Sequence, residues 1–140
     1  EIVTRLARQG LIDKVGLQMH IDNQSMRASP DDVVRTIRSY GIPAAATEFD
    51  VDLRDEDGTE RDRLTLQAQV YESMIRAALR SGVIKDVGFW GYGDALTGID
   101  SSEFGGTHNA DPTMWDWSDR PKPAYYAVRK VLLEKASNQI

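Results

Sequence analysis

The sequence predicts an α/β chain in which parallel strands are covered by helices packed outside them. Three observations carry this. Short apolar runs alternate with amphipathic stretches of helical period, each run ends on polar or aromatic groups, and the helical stretches are bracketed by capping and stop residues. Alternation of this kind requires crossover connections, which set successive strands parallel.

Val3, Leu6 and Ala7 keep helical spacing and Gly10 follows as a stop, so the chain is expected to open on the last turns of a helix. After the short connection Leu11 to Lys14, the run Val15-Gly16-Leu17-Gln18-Met19-His20 reads as a buried strand with functional groups at its carboxyl end. Ser29-Pro30-Asp31-Asp32 supplies an N-cap serine, a proline at the first helical position and early acids. Val33, Val34, Ile37 and Tyr40 then share one face, and Gly41 ends that helix. Ile42 to Val51, with Ala44, Ala45 and Ala46 in its middle, suits a second strand covered on both faces.

Past the polar turn Asp55-Glu56-Asp57-Gly58, Thr59 and Asp62 form a cap for a helix carrying Leu64, Ala68, Tyr71, Ile75 and Ala78, which stops at Gly82. Val83 to Tyr92 supplies the third strand. A Gly- and Asp-rich stretch without periodicity runs from there to about Arg120, a length that marks a functional or mobile loop. Pro121 and Pro123 open a last helix with Ala124, Val128, Val131 and Leu132 on its packed face and Lys130 and Lys135 toward its end.

Sites gather at strand carboxyl ends both in eight-unit barrels and in open doubly wound sheets. No G-x-G-x-x-G or P-loop stretch is present, which disfavours the nucleotide-binding doubly wound form. A full barrel takes roughly 250 residues, and residues 1–140 are expected to form a single segment with material for somewhat under half of one. With 41% hydrophobic and 28% charged residues the composition is that of an ordinary globular chain. The net charge of -5 with interleaved signs disfavours nucleic acid as a partner, and no apolar run is long enough to span a membrane. The lack of cysteine excludes thiol catalysis, disulfides and Cys-based zinc sites.

Glu48 and Asp50 lie two apart near the end of the second strand and therefore face one side. His20, ending the preceding strand, can lie beside them and fix the orientation and charge of either carboxylate. Such a triad would position an ionised nucleophile. Each residue has a plainer alternative: a strand-end acid is often a helix cap or loop ion pair, and a buried histidine needs only a local partner. Trp90, with Tyr92 nearby, offers either an aromatic face for a sugar ring or a core aromatic. Trp115 and Trp117 flank Asp116 in a polar loop and read as binding aromatics or a small loop core. His108 has no recognisable partner and is expected to be a solvated loop residue.

At these residues the chain resembles the C-terminal part of glycoside hydrolase family 10, the xylanase family with a (β/α)8 barrel. The resemblance rests on Ile12-Asp13 through Gly16-Leu17-Gln18-Met19-His20, on Thr47-Glu48-Phe49-Asp50-Val51, on Trp90-Gly91 followed by Asp94, and on Pro121-Lys122-Pro123-Ala124-Tyr125-Tyr126. It implies that the fold is the last three to four βα units of a TIM barrel, whose strands count as the sixth to eighth. It implies a retaining endo-β-1,4-glycanase, foremost an endo-1,4-β-xylanase acting on xylan outside the cell, with no metal or organic cofactor. Glu48 would be the nucleophile, His20 its hydrogen-bond partner and Asp50 the support of that histidine. Gln18, Trp90 and Asp94 would line the substrate site.

Two departures from the family pattern shape these expectations. The acid/base glutamate belongs to a Trp-x-x-x-Asn-Glu motif on the fourth strand, and no Asn-Glu pair occurs in this sequence. The chain alone is therefore expected to be inactive, and its open strand edges to pair with another copy or with an N-terminal half. After Trp90 the family continues into an aromatic-bearing loop, whereas Asp94-Ala95-Leu96-Thr97-Gly98-Ile99-Asp100 has none; Trp115 or Trp117 would fill that gap. The competing readings are a non-catalytic carbohydrate-binding or structural remnant of the same barrel, and a barrel fragment unrelated to sugars.

Overall fold

The computed structural model describes residues 2–99 and 109–138. Four strands, β1 (Val15–Leu17), β2 (His20–Ile21), β3 (Ala44–Val51) and β4 (Ile84–Phe89), form one sheet in which β3 pairs in parallel with each of the others. Among the described residues four α-helices accompany them: α1 (Ile2–Arg8), α2 (Pro30–Arg38), α3 (Glu60–Ser81) and α4 (Pro123–Ala136). The alternation of strand and helix and the parallel pairing follow the sequence prediction. Among the described residues no helix is long and apolar enough to cross a membrane.

The expected strand Val15–His20 is two pieces, because Met19 turns into the left-handed region at φ +65°. There the shorter strand comes back into register with β3, which takes a longer path. The third strand is shorter than expected and mostly exposed. Among the described residues β4 pairs only with β3, so one of its edges and much of its surface lack the cover a central parallel strand requires.

α3 is built as the sequence indicates. Thr59 Oγ1 accepts from the Asp62 amide at 3.2 Å while the Asp62 carboxylate returns to the Thr59 amide at 3.3 Å, and Gly82 closes the helix at φ +69°. Its buried stripe of Val70, Tyr71, Ile75 and Ala78 packs beneath Phe49, Val51 and Leu53 and against Ala124, Val128 and Val131 of α4. Leu132 was expected on that packed face but is half exposed, since the α3 contact takes only the 124–128–131 stripe. Ser29 makes no side-chain cap bond; its carbonyl accepts from Asp32 and Val33 instead, with Pro30 at the first helical position. α1 buries no residue of its own.

The loop beyond Asn109 is tied down by side chains of α3. The fully buried Gln67 donates from Nε2 to the carbonyls of Val51 (3.0 Å) and Asp111 (2.5 Å), and Tyr71 Oη donates to Pro112 O at 2.8 Å. The first of these bonds satisfies a carbonyl at the end of β3, and the others add a second donor to loop carbonyls that also accept from Lys122 and from the Val51 amide.

Candidate active site

The polar cluster forms where β3 ends beside β2. His20 and Asp50 are Cα partners across the parallel pair, and their side chains meet, His20 Nδ1 lying 2.9 Å from Asp50 Oδ2. The other ring nitrogen, Nε2, lies 3.3 Å from Glu48 Oε2. One imidazole thus stands between the two carboxylates. The Nδ1 contact has hydrogen-bond geometry, whereas the Nε2 contact is an ion-pair distance that carries charge attraction only in the imidazolium.

The two acids differ sharply in setting. Glu48 keeps a quarter of its side chain open, whereas Asp50 is 1% exposed. Burial pushes the Asp50 carboxyl up to about 6, against the hydrogen bond and charge of His20, while the charges of Asp52 and Glu48 add to the rise. Asp50 Oδ1 has no hydrogen-bond partner among the described residues. A carboxylate so enclosed can hold His20 but offers a bound molecule almost no surface, whereas Glu48 keeps open surface.

Trp90, just past β4, sets its ring edge-on to His20, with centroids 6.0 Å apart at 83°. Its backbone amide donates to Phe49 O at 3.1 Å and its side chain is 42% exposed. Gln18 is exposed in the break between β1 and β2, and its carbonyl accepts the Glu48 amide at 3.1 Å. A cleft of about 490 Å³ opens beside His20, bordered by Asp50, Asp52, Arg54, Trp90 and Ile99. Glu48 lies outside it, on the Nε2 side of the ring. Asp52 and Arg54 were not singled out from the sequence. Arg54 Nε donates to Asp52 Oδ2 at 2.7 Å, and the signal was available, since Asp52 continues the two-residue alternation that joins Glu48 to Asp50.

Asp94 is placed elsewhere. It is buried in an ion pair with Lys122, at 2.9 and 3.2 Å, and accepts from the Thr113 amide and hydroxyl at 2.9 and 2.8 Å. This corrects its expected place on the substrate surface: the carboxylate faces Lys122 and Thr113 and is closed to solvent. Trp115 stacks on Tyr92 at 4.8 Å and tilts against Tyr125 at 5.0 Å, which is the loop-core alternative for that residue. Trp117 is 42% exposed and borders a separate polar cleft of about 310 Å³ with Glu60, Asp116 and Arg120. Neither tryptophan borders the cleft beside His20. His108 lies outside the described residues.

Lys122 escaped sequence reasoning because a lysine between two prolines carries no sign of burial. Among the described residues no group of three or more His, Asp or Glu side chains converges as a metal ligand set. The arrangement offers an accessible carboxylate, Glu48, set against an imidazole that a sealed carboxylate holds in turn, beside an aromatic face. That equipment suits attack by a carboxylate oxygen on an electrophilic carbon.

Comparison with known proteins gives a consistent picture. The model of the family described as glycosyl hydrolase family 10 matches residues 1–131. The chain is 28% identical over 136 residues to endo-1,4-β-xylanase B of Thermotoga neapolitana, covering 96% of this chain and 38% of that protein. Among solved structures it is similar to native xylanase 10B from Thermotoga maritima, with a TM-score of 0.82 at 28% identity over 98% of this chain and 42% of that one. It is similar also to xylanase 10B from Thermotoga petrophila RKU-1 in complex with xylobiose, with a TM-score of 0.80, 28% identity, and 96% and 40% coverage. The chain thus spans about two fifths of the length of these relatives.

Proposed function

The chain belongs to glycosyl hydrolase family 10, and from that premise we propose that it is the nucleophile-bearing side of a retaining endo-β-1,4-xylanase. Glu48 is the nucleophile. The observation that carries this is the single imidazole of His20 set between Glu48 and the buried Asp50, at 3.3 and 2.9 Å. In this reading β1 with β2, β3 and β4 are the sixth, seventh and eighth strands of a (β/α)8 barrel.

In the reaction a Glu48 oxygen bonds to the anomeric carbon as the glycosidic C–O bond breaks, and the leaving oxygen takes a proton from a second carboxylic acid. Water then releases the sugar from the resulting ester, giving its proton back to that acid. Asp50 holds the imidazole, the imidazole orients Glu48, and Trp90 packs on the sugar. The reaction needs no metal. The second acid is assigned to the rest of the barrel, since among the described residues Asp50 is sealed and Asp94 is paired with Lys122. The chain alone is inactive in this reading and gains activity by pairing with an N-terminal half of the barrel, along the open edge of β4 and its exposed Phe89. An extracellular location is part of the proposal and rests on the family resemblance alone.

One observation favours a second reading: among the described residues only Glu48 and the buried Asp50 pair with His20, and the other acids of the cleft, Asp22 and Asp52, are bonded to Ser25 and Arg54. A carbohydrate-binding remnant would use Trp90 and Glu48 to grip sugar without cleaving it.

The deciding experiment incubates the chain, with and without an N-terminal half from the family, with a 2-fluoro xylobioside and locates added mass. Mass at Glu48 in the reconstituted form supports the nucleophile. Mass at another residue, or none while xylobiose still binds, removes the catalytic reading and leaves the binding one.

A further inference from the structure

β3 changes face in mid-strand. Ala46 and Phe49 are three residues apart, yet both border one apolar cavity against the helices, shared with Val34, Met74 and Ile75. Strict alternation from Ala46 would send Glu48 and Asp50 into that helical layer. An extra residue in β3 prevents this. Ala46 to Asp50 is four steps where Leu17 to His20 is three, and Ala46 to Phe49 is three where Val87 to Phe89 is two. The bulge lies at Thr47 and Glu48, where β3 takes the extra residue against both neighbours; an opposite shift between Ala44 and Ala45 gives β4 one back nearer its start.

Both neighbours present glycine to it. A Cβ on Gly88 of β4 would stand 2.9 Å from the Thr47 carbonyl oxygen, and one on Gly16 of β1 would stand 3.1 Å from the Thr47 methyl. The first contact is with backbone and cannot be relieved by a rotamer. The second is with a side chain. Thr47 Oγ1 also donates to Leu17 O at 3.2 Å, which ties the bulge to β1.

We infer that Gly88 is a positioning residue: its missing side chain admits the Thr47 carbonyl and so keeps the bulge that turns Glu48 out of the helical layer onto His20 Nε2. This rests on the reading of Glu48 as nucleophile for its catalytic meaning, although the geometric claim stands by itself. Gly88 acts on one carboxylate only. Asp50 is held independently, by its pairing with His20 and by the bond from the Val51 amide to Pro112 O at 3.1 Å. A side chain at 88 displaces the Thr47–Glu48 peptide and leaves the Asp50–Nδ1 contact in place.

The test reads the two ring nitrogens of His20 separately, by 15N NMR of the histidine-labelled chain at one fixed pH, with Glu48→Ala as the reference for a lost Nε2 contact. In Gly88→Ala the Nε2 signal is expected to move toward its Glu48→Ala position while Nδ1 stays. A folded Gly88→Ala with both signals unmoved, or moving together, overturns the inference. Should that variant not fold, Gly16→Ala presses the same bulge from the other side. Its Nε2 shift is expected to be smaller and to disappear in Gly16→Ala/Thr47→Ser, which lacks the methyl. No shift in Gly16→Ala, or one that survives the second substitution, also overturns it. In the reconstituted barrel, Gly88→Ala is expected to slow fluoro-sugar labelling at least about tenfold through misplacement of the attacking oxygen. An absence of labelling in the unsubstituted protein would count against the nucleophile and leave the nitrogen result untouched.

Discussion

Lys122 holds its ammonium 2.9 Å from Asp94 Oδ2 with both side chains closed off from water, and the same nitrogen donates to the Asp111 carbonyl at 2.6 Å. Burial draws the lysine pKa down, and Asp94 resists that by favouring the charged form. Replacing one partner strands the other charge in the interior. Lys122→Met is expected to cost about 3–5 kcal/mol, and Lys122→Met/Asp94→Asn clearly less. Urea denaturation at neutral pH measures both. A single-substitution cost under about 1 kcal/mol would mean that water reaches the pair.

Asp50 gives stability a specific pH dependence. Its carboxyl sits at about 6 in the folded chain against an ordinary 3.8, so between those values the folded state holds a proton that the unfolded state has released. Its contribution is therefore fully present below the unfolded value and is lost as pH rises through about 6. The roughly two-unit difference corresponds to about 3 kcal/mol. Asp50→Asn is expected to remove this slope, so the variant gains on the parent between pH 4 and 7. Parallel pH profiles of the two proteins would count against it.

Gln67 binds the end of β3 to the loop through the carbonyls of Val51 and Asp111. Gln67→Met keeps the volume and orphans the Val51 carbonyl, while Asp111 O keeps Lys122. The expected cost is about 1–3 kcal/mol. Hydrogen exchange should also quicken at the Leu53 amide, which bonds to Ala110 O at 2.8 Å. Unchanged exchange there would show that the loop is anchored without Gln67.

The cap of α3 is the simplest local test. Thr59→Ala removes both the acceptor for the Asp62 amide and the hydroxyl bond to its carboxylate, for an expected loss of about 1 kcal/mol in thermal or urea denaturation. Thr59→Ser should restore most of it.

The repeating order of strand and helix was legible because it depends on local chemistry: the Thr59 cap, the Gly82 stop and the spacing of Tyr71, Ile75 and Ala78 each act within a turn or two. The grouping of Glu48, Asp50 and His20 was legible because strand ends converge in parallel sheets. What escaped depends on partners distant in the chain. The bulge opposite Gly16 and Gly88 leaves no periodic trace, since alanines and a threonine fit either face. The fate of Asp94 was hidden because its partner Lys122 lies 28 residues away, behind a loop with no period. The exposure of β4 and Leu132 reflects the cover available to them, which an apolar run cannot report.

His20 and Asp50 are partners twice over, once as ladder neighbours and once through their side chains. A β2 segment docked one position out of step would turn His20 to the wrong face and leave Asp50 buried with no counterpart. The alignment of two strands and the assembly of the cluster are thus a single event. In a refolded preparation, the fraction of molecules with intact His20 chemistry therefore counts the fraction whose backbone has zipped correctly.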